Sequence, residues 1–171
     1  MPLITFVDED DNIIGSGTKD VSWKRGAWHR IVRVFLFNAK GEVLMTRRAA
    51  HLVASPGKWN ESCSGHVDEG ERYEEAALRE LREEVGVSDT KLTPIVKIKH
   101  SDTDDPSRRK NRFHMIFTGR YEGVVHFDPK EVSEVRWVLP DQLLEWLIKS
   151  PQDFTEGCRV ACAELQARGF L

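Results

Sequence analysis

Apolar residues from Ile4 to Val7 give way to the turn-rich stretch Asp8 to Asn12 and return at Ile13 and Ile14, which predicts an N-terminal hairpin. A linker rich in Trp, Lys and Arg follows. Ile31 to Phe37 and Glu42 to Thr46 are expected strands around Asn38-Ala39-Lys40-Gly41, whose Asn and Gly suit a tight turn, so a second hairpin is predicted. Trp59 to Gly65 reads as a short extended segment. Leu92 to Lys99, Phe113 to Tyr121 and Glu134 to Val138 read as later strands, with a polar loop from Ser101 to Asn111. Helical patterning runs over Tyr73 to Val85, ended by Gly86, and more briefly over Asp141 to Ile148 and Thr155 to Ala167. Strands outnumber helices and are joined mostly by hairpins, so the expected fold is α/β, a mixed sheet with helices on its faces.

The helix at Tyr73 to Val85 carries the chemistry. Ala77, Leu78, Leu81 and Val85 fall on one stripe at 100° per residue and are expected to face the sheet. Glu80, Glu83 and Glu84, spaced i, i+3 and i+4, share the neighbouring stripe and converge on one small volume. Glu83 and Glu84 also stand in the last turn, where the helix dipole disfavours carboxylates by roughly 0.3–1 kcal/mol each. A divalent cation would reverse that sign. An all-oxygen cluster suits Mg²⁺, with Mn²⁺ as the alternative, and such ions share their coordination with phosphates.

Composition leaves this reading undisturbed. The 171 residues are 40% hydrophobic and 31% charged, as expected of one folded domain. The longest apolar run, Ile31 to Phe37, contains Arg33, and the N-terminus turns acidic where a signal peptide would be apolar, so no membrane partner and a cytoplasmic location are expected. A net charge of −3 gives no drive towards a nucleic-acid polymer. Cys63, Cys158 and Cys162 lack the partners for a zinc site and read as reduced structural thiols.

The segment Gly65 to Val87, GHVDEGERYEEAALRELREEVGV, fills every defined position of the pattern Gly, five residues, Glu, seven residues, Arg-Glu-aliphatic-any-Glu-Glu-any-Gly-aliphatic. Chance would supply that match at roughly one site in 10⁹. The chain thus resembles the Nudix superfamily. The resemblance implies an α/β/α sandwich with a mixed β-sheet, here with the N-terminal β-hairpin added: one domain over 1–171, with residues 1–27 as hairpin and linker and residues 65–87 as the box. It implies a metal set of Gly65, Glu80, Glu83 and Glu84, and structural roles for Glu71, which holds Arg79, and for Gly86. The implied reaction is hydrolysis of a small organic diphosphate, such as a nucleoside diphosphate derivative, by cation-activated water. Glu80, Glu84 and Glu131, the last on a loop before a late strand with Glu134 in reserve, are the candidate catalytic carboxylates.

Outside the box, LFNAKGEVLMTRRA and PGKWNESCSGH resemble the isopentenyl-diphosphate isomerase branch of the same fold, which makes isomerisation the rival. Arg48 then falls at a diphosphate contact, and His29 and His66 at metal-binding histidines. Against this, the isomerase cysteine position holds Ser64. Cys63, one residue earlier, would face the other way in a strand. The isomerase Glu-any-Glu pair corresponds to Lys110-Asn111-Arg112. A non-catalytic diphosphate-binding protein is the third reading, which loss of a box glutamate would signal. Arg48 and Arg112 are the expected substrate cations among Arg47, Arg48, Lys58, Arg108, Arg109, Lys110 and Arg112. Trp28, Trp59 and Phe113 could stack on a base or cover a prenyl chain. A monomer or homodimer is expected.

Overall fold

A computed structural model describes residues 1–171. The N-terminal hairpin pairs β1 (Ile4–Val7) with β2 (Ile13–Gly17). The supposed linker is a helix, α1 (Lys19–Arg25), capped by the Thr18 hydroxyl, which accepts from Val21 N–H, and closed by Gly26 at φ 68°. Its two caps were visible in the sequence. The helical run between them has only seven residues and no apolar stripe, so the cap signals went unread.

β3 (Trp28–Phe37) is the central strand. It pairs in parallel with β8 (Asn111–Arg120) along His29↔Arg112 to Phe37↔Arg120, and antiparallel with β1 and with β6 (Cys63–His66). β7 (Leu92–Ser101) completes that side by pairing with β8. β4 (Val43–Arg48) pairs with the short β5 (Trp59–Asn60) and with β9 (Val132–Val138). The expected second hairpin therefore opens at once: Asn38 caps the turn, but β3 and β4 share only the pair Phe37↔Val43 before each takes other partners. Turn chemistry brings two strands together; longer ladders elsewhere hold them apart.

Alternation along β3 sends Val32, Val34 and Leu36 to one face and Ile31, Arg33 and Phe35 to the other. The first set packs with Cys63, Leu81 and Val85 beneath α2 (Tyr73–Val85). Phe35 packs on the opposite face with Leu143 of α3 (Pro140–Lys149) and Cys158, Ala161, Cys162 and Leu165 of α4 (Glu156–Ala167). The layers are helix, nine-stranded mixed sheet, helix. No helix is long and apolar enough to cross a membrane.

The buried row of α2 differs from the expected stripe. Ala76, Ala77, Leu81 and Val85 are buried, while Leu78 is exposed. Ala76 sits four and eight residues before Glu80 and Glu84 on the same side of the helix. Its burial means that this row faces the protein, so the two carboxylates point inwards.

Candidate active site

The loop before α2 and the helix itself assemble the first part of the site. Arg79 donates from Nε to Glu71 Oε1 at 2.8 Å, from Nη2 to Glu71 Oε2 at 2.9 Å and to the His66 carbonyl at 2.9 Å, and from Nη1 to Glu80 Oε1 at 2.7 Å. Hydrogen bonds from Arg79 hold the Glu71 carboxyl below its ordinary range. Gly86, in the left-handed region at φ 70°, ends the helix with its N–H on the Leu81 carbonyl. A Cβ there would lie 2.6 Å from the His126 carbonyl oxygen.

Gly65 is required by close approach. A Cβ on it would stand 1.9 Å from Glu80 Oε1, so only glycine lets that carboxylate rest on β6. Glu80 is 13% exposed and Glu83 54% exposed, so the three glutamates split into an inward pair and an outward member that Arg79 reaches at 3.3 Å. Burial, with Glu83 and Asp68 nearby, raises the Glu80 carboxyl to about 7 against the pull of Arg79. Burial and then Glu80 also raise Glu84 well above the ordinary carboxylate range, with Glu131 adding to the repulsion and Arg48 opposing it. Like charges have been brought together with too few cations among them.

These side chains line a cavity of about 640 Å³ that also takes in Arg33, Arg48, Ser64, Glu131 and Arg112. Glu131 stands one residue before β9, exposed, its carbonyl accepting from Ala49 N–H. Glu134 instead pairs on the surface with Arg47 and Arg136. Arg48 donates from Nε to the Ala54 carbonyl at 3.0 Å and keeps its remaining donors. Of the seven basic residues singled out from sequence, Arg48, Lys58, Arg108, Lys110 and Arg112 line the cavity, and Arg47 and Arg109 do not.

β6 divides its neighbours between faces as its pleat requires. Ser64 lines the cavity and accepts from Asn60 Nδ2 at 2.7 Å, while Cys63 is wholly buried in the core under α2, its thiol pushed up by burial and then by Glu84 and Glu80. His29 and His66 stack at 5.3 Å, and burial holds both below the ordinary imidazole value, His29 at about 4. Trp28, Trp59 and Phe113 lie outside the cavity; its aromatic is Trp23 of α1.

Sequence reasoning missed a buried pair beneath the cavity. Arg33 donates to Glu61 Oε1 at 2.5 Å and from Nε to His114 Nδ1 at 2.8 Å, and Gly157 leaves room for the guanidinium. The signal was Arg33 inside an apolar strand. A second acidic cluster, His100, Asp102 and Glu156, lies across the cavity with its ligand atoms within 4.8 Å of one another, and all of it but Asp102 Oδ1 is already satisfied. Glu156 accepts from His100 and from the amides of Thr103 and Asp104, which together hold its carboxyl at about 2 despite burial. Asp102 pairs with Arg112.

A mixed sheet thus lies between helices, and a loop, helix and loop present inward carboxylates over a bare glycine. The NUDIX domain model matches residues 27–157, and the chain belongs to that family. It is similar to the isopentenyl-diphosphate Delta-isomerase of Serratia proteamaculans, 31% identical over 90% of this chain and 85% of that protein. The isomerase of Mycolicibacterium vanbaalenii is 35% identical over 80% and 76% respectively. Among solved structures, DR0079 of Deinococcus radiodurans superposes with a TM-score of 0.72 at 25% identity, covering 86% of this chain and 89% of its own.

Proposed function

We propose that this protein is a Mg²⁺-dependent hydrolase of a small organic diphosphate, with Mn²⁺ as an alternative ion. One observation carries the reading: Glu80, Glu84 and Glu131 share the cavity, while no cysteine lines it and Cys63, the neighbour of Ser64, is turned into the core. Glu80, Glu83 and Glu84, with the Gly65 carbonyl, form an all-oxygen donor set, and the raised Glu80 and Glu84 values are the mark of carboxylates that lack a cation. When bound, the metal would neutralise the diphosphate and acidify the attacking water.

The chain's own residues supply the rest. Glu71 and Arg79 fix the loop against the helix, so that Glu80 is held over Gly65. Glu131 and Glu84 are the candidates to take the proton from water as it attacks phosphorus. Arg48, at the Glu84 side, would meet the diphosphate. Arg112 contributes through what its pairing with Asp102 leaves over. The same reading takes residues 1–171 as one domain acting in the cytoplasm, as monomer or homodimer, and its three cysteines are free.

Isomerisation is the second reading, favoured by the names of the relatives. It asks for a thiol and carboxylates where this chain presents Ser64 and the basic Lys110 and Arg112. Few apolar side chains line the cavity, which favours a polar group over a prenyl chain. The test follows phosphorus NMR of nucleoside di- and triphosphates, nucleotide sugars, dinucleotides and isopentenyl diphosphate, with Mg²⁺ and with EDTA. Metal-dependent cleavage is expected. Dimethylallyl diphosphate formed from isopentenyl diphosphate, with nothing cleaved, would overturn the proposal.

A further inference from the structure

The cavity has an end, formed by α1 and the start of β8, of which the hydrolase reading uses only Arg112. Trp23 lines it, with the Lys110 ammonium 5.7 Å and the Arg108 guanidinium 5.0 Å from the indole ring centre. Lys19 and Arg112 complete the wall.

The balance of charge and hydrogen bonding there is uneven. Asp102 is taken by Arg112 and turns its other oxygen to His100, 4.0 Å away. Asp105 is taken by Arg108 and Ser107, Asp104 by Arg159, and Glu156 by His100 and two loop amides. Lys19 and Lys110 have no carboxylate within ion-pairing distance. Arg112 Nε and Trp23 Nε1 are buried N–H donors without an acceptor. An unmet buried donor costs about 1–3 kcal/mol, and two of them with two unpaired ammoniums in one cavity outweigh the one buried carboxylate oxygen left without a donor there, Asp102 Oδ1, and call for an acceptor of negative charge. A cation is disfavoured at the same place. The orphaned imidazole nitrogens of His29 and His66 could ligate one, but Lys110 and Arg112 would repel it.

We propose that the end of the cavity walled by Trp23, Lys110, Arg112 and Lys19 is an anion subsite that takes a phosphate-like group of the substrate remote from the scissile diphosphate. Lys110 and Lys19 give it charge, and Trp23 and Arg112 give it directed N–H donors. The indole is covered by the ends of Arg108 and Lys110, long flexible chains whose change of rotamer admits the ligand. The word substrate rests on the hydrolase reading; the subsite itself does not.

Inorganic phosphate is the probe, titrated in EDTA so that neither metal nor turnover enters. The readout is the ¹H–¹⁵N indole resonance of Trp23, identified by its disappearance in Trp23→Phe. A saturable shift is expected in the wild type. It should weaken about tenfold in Kd in Lys110→Met, the loss of roughly one charge-assisted hydrogen bond. Glu84→Gln should bind at least as tightly as the wild type. No shift at Trp23, or equal affinity in Lys110→Met, overturns the subsite. So does binding that is lost only in Arg48→Met, since phosphate would then sit beside the box. A protein that cleaves nothing in the substrate panel yet shows the expected shift fails as a hydrolase and keeps the subsite.

Discussion

The cavity carries two acidic clusters whose contrast is instructive. Across from the box, Glu156 is met by His100 and the amides of Thr103 and Asp104, and Asp102 by Arg112. At the box, Arg79, already committed to Glu71, reaches Glu80 and Glu83 but makes no ion pair with Glu84, which has only the more distant charge of Arg48 to offset it, and the inward pair is pushed towards protonation. Both clusters hold oxygen atoms close together. The protein meets the first with its own donors, one oxygen of Asp102 excepted, and leaves the second short of them, and in the proposed reading that shortfall, more than proximity, is what an external cation would relieve.

The sharpest break in that contrast is Glu84→Gln, which should lower kcat roughly 10²–10⁴-fold with the circular dichroism unchanged. An active Glu84→Gln enzyme would remove the box from the chemistry. Gly65→Ala comes next. Its methyl would occupy the place of the Glu80 carboxylate, 1.9 Å from Oε1, so kcat should fall about 10²-fold and stability by about 1–3 kcal/mol in urea unfolding. Unchanged turnover would show that Glu80 need not lie on β6.

Acidity tests the same asymmetry without mutation. In EDTA, Glu80 titrates at about 7 in the folded chain against an ordinary 4.5, so between those values the folded state keeps a proton that the unfolded state gives up. Stability contributed by that proton is full below 4.5 and is lost as pH rises through 7. Glu156, held at about 2, loses its contribution only in acid, but His29, His66 and His114, held below the ordinary imidazole value by burial, add stability as pH rises towards 6.5 and oppose the fall. The histidines act alike with and without the ion, so the Mg²⁺-dependent rise in Tm isolates the carboxylates and should grow from pH 5 to pH 8. A Mg²⁺ effect that is flat with pH would mean that the ion does not meet these carboxylates.

Glu156→Gln is expected to do less. It weakens the hold on Thr103 and Asp104, costing about 1 kcal/mol and speeding amide exchange in the 102–110 loop, with kcat little changed. A collapse of kcat would place this second cluster in the chemistry. Smallest of all, Cys63→Ser should leave turnover as it is. A severe loss would restore the isomerase reading.

Much of the box was legible before any coordinates. Tyr73 to Val85 forms the helix over the expected residues and stops at Gly86, because local propensity, a capping box at Arg72 and Glu75, and a left-handed glycine all act within a few residues. The turn of Cys63 away from the cavity followed from strand alternation alone. The exposure of Leu78 and burial of Ala76 did not follow, since a pattern gives the width of an apolar face and the sheet decides which edge of it is covered. Nor did the aromatic of the cavity: Trp23 was passed over for Trp28, Trp59 and Phe113 because its helix is short and little patterned.

Sequence by itself determined the family, the carboxylates and the helix that bears them, because these depend on contacts between residues close along the chain. Only the tertiary structure decided that Glu80 and Glu84 face inwards while Glu83 faces water. It also opened the Asn38–Gly41 hairpin, paired Arg33 with Glu61 and put Arg112 on Asp102. Those outcomes turn on which distant segment arrives to compete for a hydrogen bond or a charge, and that competition is settled only when the sheet has closed between its two layers of helices.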